Sequence, residues 1–161
     1  MKGELILRNR QRTRAVDLSH LRRLARWLLA ELAPDAPCEL GVHLVGATEM
    51  ASLNETFLQH TGSTDVITFD HREGAASESA AVHGEIFICV DDAVVQARQF
   101  RTRWTAEVAR YLVHGWLHLR GHDDLEPAAR RRMKRAENER MRALARRFPL
   151  SRLARKPRVR P

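Results

Sequence analysis

The sequence is poor in cysteine and contains no long apolar run. Its two cysteines, Cys38 and Cys89, stand far apart in strand-like apolar segments. We therefore expect buried thiols there, not a disulfide or a zinc ribbon. No segment approaches the roughly 20 apolar residues that a transmembrane helix requires, and the N-terminus is too short and too charged for a signal peptide. These absences predict a cytoplasmic protein with no membrane partner.

Acidic residues are scarce at the C-terminal end of the chain. Residues 126–161 carry 14 Lys and Arg against three Glu, a net charge of +11, whereas residues 1–125 carry a net charge of −3. Such a basic segment is typical of proteins that bind a polyanion, usually nucleic acid. The alternative is a solvated helix face followed by a disordered tail. Aromatic residues make up only 6% of the chain, so sequence-specific base recognition is not expected.

Hydrophobic periodicity predicts a single α+β domain over residues 1–147, which is long enough for one hydrophobic core. Helices are predicted at residues 16–34, 48–59, 91–100, 105–120 and 127–147. Strands are predicted at residues 4–9, 39–46, 64–70 and 84–91. This order indicates a small mixed four-stranded sheet packed with helices, among them a deeply buried helix at residues 105–120. Residues 71–83 are predicted to form a loop, and residues 148–161, with three prolines, a basic disordered tail.

Polar residues mark three of the predicted helix starts. Asp17 is expected to cap the first helix, Thr48 the second, and Asp91 or Asp92 the third. Phe57 is expected to face inwards from the second helix. These assignments predict where the helices begin and which side of the second helix meets the core.

Two histidines stand four residues apart in the predicted buried helix. On an α-helix this spacing places His114 and His118 on one face, one turn apart, where both can reach a single metal ion. Gly121 is expected to end the helix by adopting left-handed backbone angles, and the turn then presents residues 122–124, His-Asp-Asp. Buried imidazoles without partners would be costly. We therefore expect a three-ligand metal site at the end of this helix.

The expected ligands favour zinc and hydrolytic chemistry. Two histidines with a third histidine or a carboxylate suit zinc, and three protein ligands leave the fourth position to water. A zinc-bound water, whose pKa is lowered by the metal to near 7, is the expected nucleophile, and the residues identify no general base. Helical zinc peptidases carry Glu directly after the first histidine, but Gly115 occupies that position here. The basic C-terminal segment points instead to hydrolysis of a phosphodiester.

Three segments of the chain carry a family resemblance. His114-Gly-Trp-Leu-His-Leu-Arg-Gly-His-Asp-Asp124 resembles the signature His-Gly-x-Leu-His-Leu-x-Gly-(Tyr/His)-Asp-His of the YbeY family of bacterial rRNA maturation factors. Leu53-Asn with residues 64–69, Thr-Asp-Val-Ile-Thr-Phe, resembles a second block of that family. Gly84-Glu-Ile resembles a third, in which the family more often has Asp in place of Glu. The resemblance covers about residues 40–140.

This resemblance implies both a fold and a function. The implied fold is an α+β sheet with a buried zinc-bearing helix. The implied function is that of a zinc-dependent, single-strand-specific endoribonuclease in rRNA processing and ribosome maturation, near the 3′ end of 16S rRNA. The implied partners are single-stranded rRNA, the small ribosomal subunit and its assembly factors. The alternative is an RNA-binding ribosome-assembly factor with a structural zinc and little or no cleavage activity.

One departure from the family signature concerns the metal ligands. The family usually has histidine where this chain has Asp124, and a carboxylate is also an acceptable zinc ligand. The implied ligands are therefore His114, His118 and Asp124, with His122 as the competing third ligand. Asp123 is expected to support the site without binding the metal.

A second departure concerns the contacts to RNA. Leu58 stands where the family often has an arginine that contacts RNA, and Arg72 and Arg120 are candidates to replace that cation. Further phosphate contacts are expected from the basic C-terminal segment: Arg130, Arg131, Arg132, Lys134 and Arg135. Thr64 and Asp65 are expected either to form a turn or cap at a strand start or to line the cleft beside the metal.

Overall fold

The computed structural model describes residues 2–73 and 81–156. Within these residues the strands are β1 (Lys2–Asn9), β2 (Pro37–Val45), β3 (Val66–Asp70) and β4 (Val82–Cys89). The helices are α1 (Leu18–Leu29), α2 (Ala47–Leu58), α3 (Val90–Phe100), α4 (Trp104–Leu119) and α5 (Pro127–Arg147), followed by a short 3₁₀ helix (Leu150–Leu153). No helix in this part of the chain is both long and apolar enough to cross a membrane.

The four strands form one mixed sheet in the order β1-β2-β4-β3. β1, β2 and β4 run parallel, with Leu5 opposite Leu40 and Val42 opposite Ile86. β3 is antiparallel to β4 and forms an edge of the sheet. Long connections through helices join the parallel strands, as parallel pairing requires. The α+β class and the small mixed four-stranded sheet are thus confirmed.

α4 is the central helix of the domain. Ten of its 16 residues are buried, and Trp116 is completely inaccessible. Gly115 allows α4 to lie close to β4, because a Cβ at this position would stand 2.6 Å from Cγ2 of Ile86. The glycine that removes the peptidase base therefore also has a packing role. The prediction of a deeply buried helix at this point of the chain is confirmed.

The caps at the helix starts differ in part from those predicted. Asp17 caps α1 as expected, its Oδ1 accepting a 3.0 Å hydrogen bond from a backbone N–H of the first turn. Thr48 does not cap α2, because that helix begins at Ala47, whose N–H donates to Oδ2 of Asp91 at 2.5 Å. α3 begins before both Asp91 and Asp92, so neither caps it. Asp91 instead caps α2 across the junction of the two helices.

The inward orientation predicted for Phe57 is wrong. Its side chain lies in the last turn of α2 and is 60% exposed. The buried positions of α2 are Met50 and Asn54, in the earlier turns of the helix. Phe57 instead packs edge-on against the ring of Phe69, which is itself only half-buried.

One strand begins earlier than predicted. β4 begins at Val82, inside the predicted loop at residues 71–83, and residues 74–80 lie outside the described residues.

Cys38 and Cys89, at opposite ends of the apolar strands, are both buried free thiols, as predicted. Burial raises the pKa of the Cys89 thiol to about 11, so this thiol stays protonated at neutral pH.

The predicted disordered tail is wrong for residues 148–156. Leu153 lies in the 3₁₀ helix and is completely buried, and Ala154 forms an antiparallel bridge with Val16. Proline and basic residues dominate the composition here, but Phe148, Leu150 and Leu153 supply an apolar face that packs against the main core. Residues 157–161 fall outside the described part of the chain.

Candidate metal centre

Three side chains converge at the C-terminal end of α4. The Nε2 atoms of His114 and His118 lie 3.1 Å apart, and Oδ2 of Asp124 lies 3.6 Å from each of them. Among the described residues, this is the one group of at least three candidate ligands whose donor atoms lie mutually close enough to hold a metal ion. The fold thus brings together the two histidines and the carboxylate that the sequence suggested.

The spacing of the three donors suits a tetrahedral ion. Tetrahedral zinc, with bonds of about 2.0–2.2 Å, requires donors about 3.3–3.6 Å apart. The observed separations of 3.1, 3.6 and 3.6 Å lie close to that range. The side chains of His114, His118 and Asp124 are 26%, 29% and 40% exposed, so the cluster faces a solvent-accessible opening. Both the donor set and its spacing therefore fit zinc.

The helix end that delivers Asp124 is a complete Schellman motif. The N–H of Gly121 donates to the carbonyl of His118, and the N–H of His122 donates to the carbonyl of Leu117, both at 3.0 Å. Gly121 has a φ of 94°, a region that L residues rarely adopt. The chain can therefore reverse directly after α4 and carry Asp124 back beside the two histidines.

The backbone of the same turn orients His118. Nδ1 of His118 lies 3.1 Å from the carbonyl oxygen of His122. Because a carbonyl oxygen only accepts hydrogen bonds, this contact requires the proton of the neutral ring to be on Nδ1, and Nε2 is then free to bind a metal. Burial, followed by the nearby His114, lowers the pKa of His118 and keeps its imidazole in the neutral, metal-binding form. The ring of His122 is not part of the three-residue cluster. Its carbonyl supports the site instead.

Glu137 of α5 orients the other histidine. Its Oε2 lies 3.4 Å from Nδ1 of His114, and its Oε1 accepts a 2.9 Å hydrogen bond from Arg110. Although burial favours protonation, the hydrogen bonds from His114 and Arg110 hold the pKa of Glu137 below its usual range. An ionised carboxylate against the distal nitrogen of a histidine is a common support for zinc ligands.

Sequence reasoning missed Glu137, although a signal was present. The buried residues of α5 are Met133, Glu137, Met141 and Leu144, which recur at helical spacing along one face. Glu137 is only 5% exposed, and charged residues are rarely buried without a partner. An acidic residue within an apolar helical stripe therefore predicts a buried partner, but it does not identify that partner as His114.

Two of the three candidate ligands, His114 and Asp124, line a cleft between α3, α4 and α5. Its volume is about 440 Å³, and its walls include Asp65, Phe100 and Tyr111. Oδ1 of Asp65 accepts hydrogen bonds from the N–H of Val66 at 2.8 Å and the hydroxyl of Thr64 at 3.4 Å. Both roles considered for Asp65 thus occur together, since it caps the start of β3 and lines the cleft.

Two of the predicted phosphate contacts lie at this cleft. Arg130 lines it and also donates to the carbonyl of Asp124 at 3.1 Å, which ties α5 to the ligand-bearing turn. Lys134 lines it with its ammonium 3.9 Å from Oε1 of Glu137. Three others are exposed on α5 outside the cleft: Arg131, Arg132 and Arg135. The carboxylate of Asp123 accepts from the N–H of Leu125 at 2.9 Å.

Arg72 and Arg120 do not line the metal cleft, so the geometry argues against either one replacing the family's arginine there. The guanidinium of Arg72 donates to Asp70 and to the carbonyls of Ala81 and Leu119, the last two at 2.6 Å. Its side chain is only 11% exposed, and its hydrogen bonds connect β3 to the end of α4. The guanidinium of Arg120 lies 5.6 Å from the ring centre of Trp116.

Comparison with known proteins identifies the family. The family model described as "Endoribonuclease YbeY" matches residues 6–145. The chain belongs to the YbeY family. Proteins named "Endoribonuclease YbeY" from Anaeromyxobacter sp. and Chlorobium phaeovibrioides are 40% identical over 121 residues and 32% identical over 131 residues, respectively. These alignments cover 75% and 81% of this chain, and 61% and 84% of the two relatives.

Two further comparisons, one with a sequence relative and one with a solved structure, differ in how much of the chain they cover. A Salinibacter ruber protein of the same name is 38% identical over 96 residues, which cover 57% of this chain and 61% of that protein. Two of these relatives are thus matched over less than two thirds of their own length. The solution structure of a Thermotoga maritima protein superimposes with a TM-score of 0.58 at 23% identity. It covers 96% of this chain and all of that protein, which shows a shared fold.

Proposed function

We propose that this YbeY-family chain is a zinc-dependent endoribonuclease, a hydrolase that cleaves phosphodiester bonds of single-stranded RNA. The observation that carries the proposal is the cluster of His114, His118 and Asp124, which lies at a cleft with cationic side chains on its wall. Relatives named endoribonucleases support the reaction class.

The residues around the cluster have separable roles in this proposal. His114, His118 and Asp124 hold the ion, which supplies a Lewis acid for hydrolysis at neutral pH. Glu137 fixes the proton of His114 at Nδ1, and the carbonyl of His122 fixes that of His118 at Nδ1. Both Nε2 atoms are therefore directed to the ion before substrate binds, so the site is preorganised.

The cationic wall of the cleft binds the RNA backbone in this proposal. Arg110, Arg130 and Lys134 line the cleft beside the ligands and attract phosphate groups. Arg131, Arg132 and Arg135 lie on the exposed face of α5 and extend the positive potential beyond the cleft. This affinity does not depend on base identity and decreases with added salt.

The exposure of the ligands favours catalysis over a structural zinc. Structural zinc sites are closed by four protein ligands, whereas catalytic sites keep one position open. Here three protein donors cluster, and their side chains remain 26–40% exposed at the edge of a cleft. A ribosome-assembly factor with a purely structural ion would not need this opening.

The biological setting extends the same proposal. We infer that the substrate is rRNA, that cleavage contributes to maturation near the 3′ end of 16S rRNA, and that the small ribosomal subunit and its assembly factors are the partners. The protein would then act in the cytoplasm. The test uses cells that carry His114→Ala in place of the wild-type chain. If these cells accumulate 16S rRNA with an unprocessed 3′ end, the result supports this setting, whereas normal 3′ ends would contradict it.

A comparison of purified proteins tests the activity. Wild-type protein and His114→Ala are stripped of metal, reloaded with zinc and incubated with single-stranded and duplex rRNA fragments. We expect the wild type to cut the single strand, the duplex to persist, and His114→Ala to be inactive. Equal cleavage by both proteins would reveal a contaminating nuclease and refute the proposal.

A further inference from the structure

A second groove lies at the other end of α4 and shares no lining residue with the metal cleft. It has a volume of about 400 Å³ and is formed by α3, the start of α4 and the 3₁₀ segment. Its ten lining residues include Arg14, Arg98 and Arg103 but no Asp or Glu. The groove is therefore positively charged and lacks an internal counterion.

The three arginines are not neutralised by neighbouring carboxylates. In residues 2–73 and 81–156, none of Arg14, Arg98 and Arg103 forms an ion pair within 4.0 Å. Arg98 and Arg103 are exposed, and Arg14 is half-buried with one donor bonded to the carbonyl of Thr13. Mutual repulsion of these cations is unfavourable, and a bound anion would relieve it.

The N-terminus of α4 adds its own positive potential to the groove. Arg103 occupies the N-cap position and provides no capping hydrogen bond from its side chain. The first amide groups of a helix have no intrahelical acceptor, and the helix dipole favours an anion beside them. The one acid of the first turn, Glu107, lines the metal cleft and accepts a 2.7 Å hydrogen bond from the hydroxyl of Thr102, which lines the groove. One carboxylate therefore borders the groove, against three guanidinium groups that line it.

Thr105 provides an independent indication of a ligand. It lines the groove and is only 3% exposed, yet its hydroxyl forms no hydrogen bond with the part of the chain that the structure describes. Its oxygen is therefore free to bond a group that enters the groove. The hydroxyl, the uncapped amide groups and three guanidinium groups together form a set of hydrogen-bond donors with a net positive charge. That set matches the oxygen atoms of a phosphate group.

We propose that this groove is a second phosphate-binding site, which holds the backbone of the RNA strand outside the metal cleft. The inference rests on the proposed function for the identity of the anion. Thr105 and His114 are nine residues apart, so the two sites are about 14 Å apart along α4.

Salt-dependent binding of RNA tests the groove separately from catalysis. The probe is a fluorescein-labelled 12-nucleotide single strand, and its Kd is measured by anisotropy from low to high KCl. The proteins carry His114→Ala, so that the probe is not cut. The double variant Arg98→Ala/Arg103→Ala is compared with Arg23→Ala/Arg26→Ala, which removes the same charge from exposed positions of α1.

We expect the groove variant to reduce the slope of log Kd against log salt by about 1.4, since each single-strand phosphate contact contributes about 0.7. The α1 variant should leave the slope unchanged. Thr105→Val, which removes only the hydroxyl, should weaken binding about 2–12-fold. Thermal unfolding of each variant confirms that it folds.

The outcomes separate the inference from the proposed function. Equal slopes for the groove and α1 variants would overturn the inference. Failure of the parent protein to bind single-stranded RNA would instead overturn the proposed function and this inference with it.

Discussion

Replacement of Glu137 by glutamine tests how the metal site is held together. Glutamine retains the shape of the side chain but removes the charge that faces Nδ1 of His114 and the guanidinium of Arg110. Loss of such a support typically lowers metal affinity about 10–100-fold. The contact to His114 is long, at 3.4 Å, so we expect an effect near the lower end, about tenfold, or about 1.4 kcal/mol.

The same substitution also affects folding. Glu137 is 5% exposed and accepts a 2.9 Å hydrogen bond from Arg110. Weakening a buried charged hydrogen bond while keeping its shape should reduce the free energy of unfolding by about 1–3 kcal/mol. Urea denaturation of the metal-free protein measures this loss of stability separately from any change in zinc affinity.

Competition with a chromophoric zinc chelator measures the change in affinity. Glu139→Gln is the matched control, because Glu139 lies on the same helix and is exposed. Its zinc affinity should equal that of the wild type. If Glu137→Gln and Glu139→Gln bind zinc equally well, Glu137 does not position His114 and our description of the site is wrong.

Three further predictions concern the turn, the cleft and the acid stability of the fold. Gly121→Ala forces an L residue into a φ of 94° and should lower the free energy of unfolding by about 1–2 kcal/mol in urea denaturation; an unchanged midpoint would contradict the Schellman geometry. Phe100→Ala should weaken binding of single-stranded RNA, because Phe100 lines the cleft and is 61% exposed, whereas Phe57→Ala, 60% exposed outside it, should not; equal losses would exclude a specific role. The hydrogen bond from Arg72 holds the pKa of Asp70 below its usual range. The ionised pair therefore stabilises the fold fully above the usual carboxyl pKa of about 4. This stabilisation is lost as the pH falls through the lower pKa that Asp70 has in the folded protein. Asp70→Asn should therefore flatten the dependence of Tm on pH below about pH 4. If the Tm of this variant decreases with acid as steeply as that of the wild type, the Asp70–Arg72 pair does not contribute to acid stability.

Local patterns in the chain were sufficient to predict the core of the candidate site. The spacing of His114 and His118 depends only on the helical repeat, and the reversal at Gly121 depends only on backbone freedom at one residue. Neither feature requires knowledge of distant contacts. For the same reason the buried helix and its stop were predictable from a stretch of about 20 residues.

Contacts between distant segments were not predictable in the same way. Glu137 meets His114 only because α5 packs against α4, and Asp91 caps α2 only because two helix starts adjoin. Arg72 resembled a free cation in the sequence, but the fold directs it to Asp70 and to backbone carbonyls. A guanidinium with five donors can satisfy several acceptors, and its partners are fixed by the tertiary structure.

The C-terminal segment shows how composition can mislead. Prolines and basic residues are typical of disordered tails, and they dominate residues 148–161. Leu150 and Leu153 nevertheless place an apolar face on the core, and the backbone at Ala154 pairs with Val16. Two leucines three residues apart carry little weight in an average over composition, although one of them is completely buried.

The most direct test of the central claim compares Asp124→Ala with His122→Ala. Zinc content is determined by mass spectrometry after reloading, and cleavage of a single-stranded rRNA fragment is measured on the same samples. We predict that Asp124→Ala loses both stoichiometric zinc and cleavage, because its carboxylate is the third donor of the cluster. His122→Ala should retain both, since its backbone carbonyl supports His118. Stoichiometric zinc in Asp124→Ala together with its loss in His122→Ala would contradict the proposed metal centre.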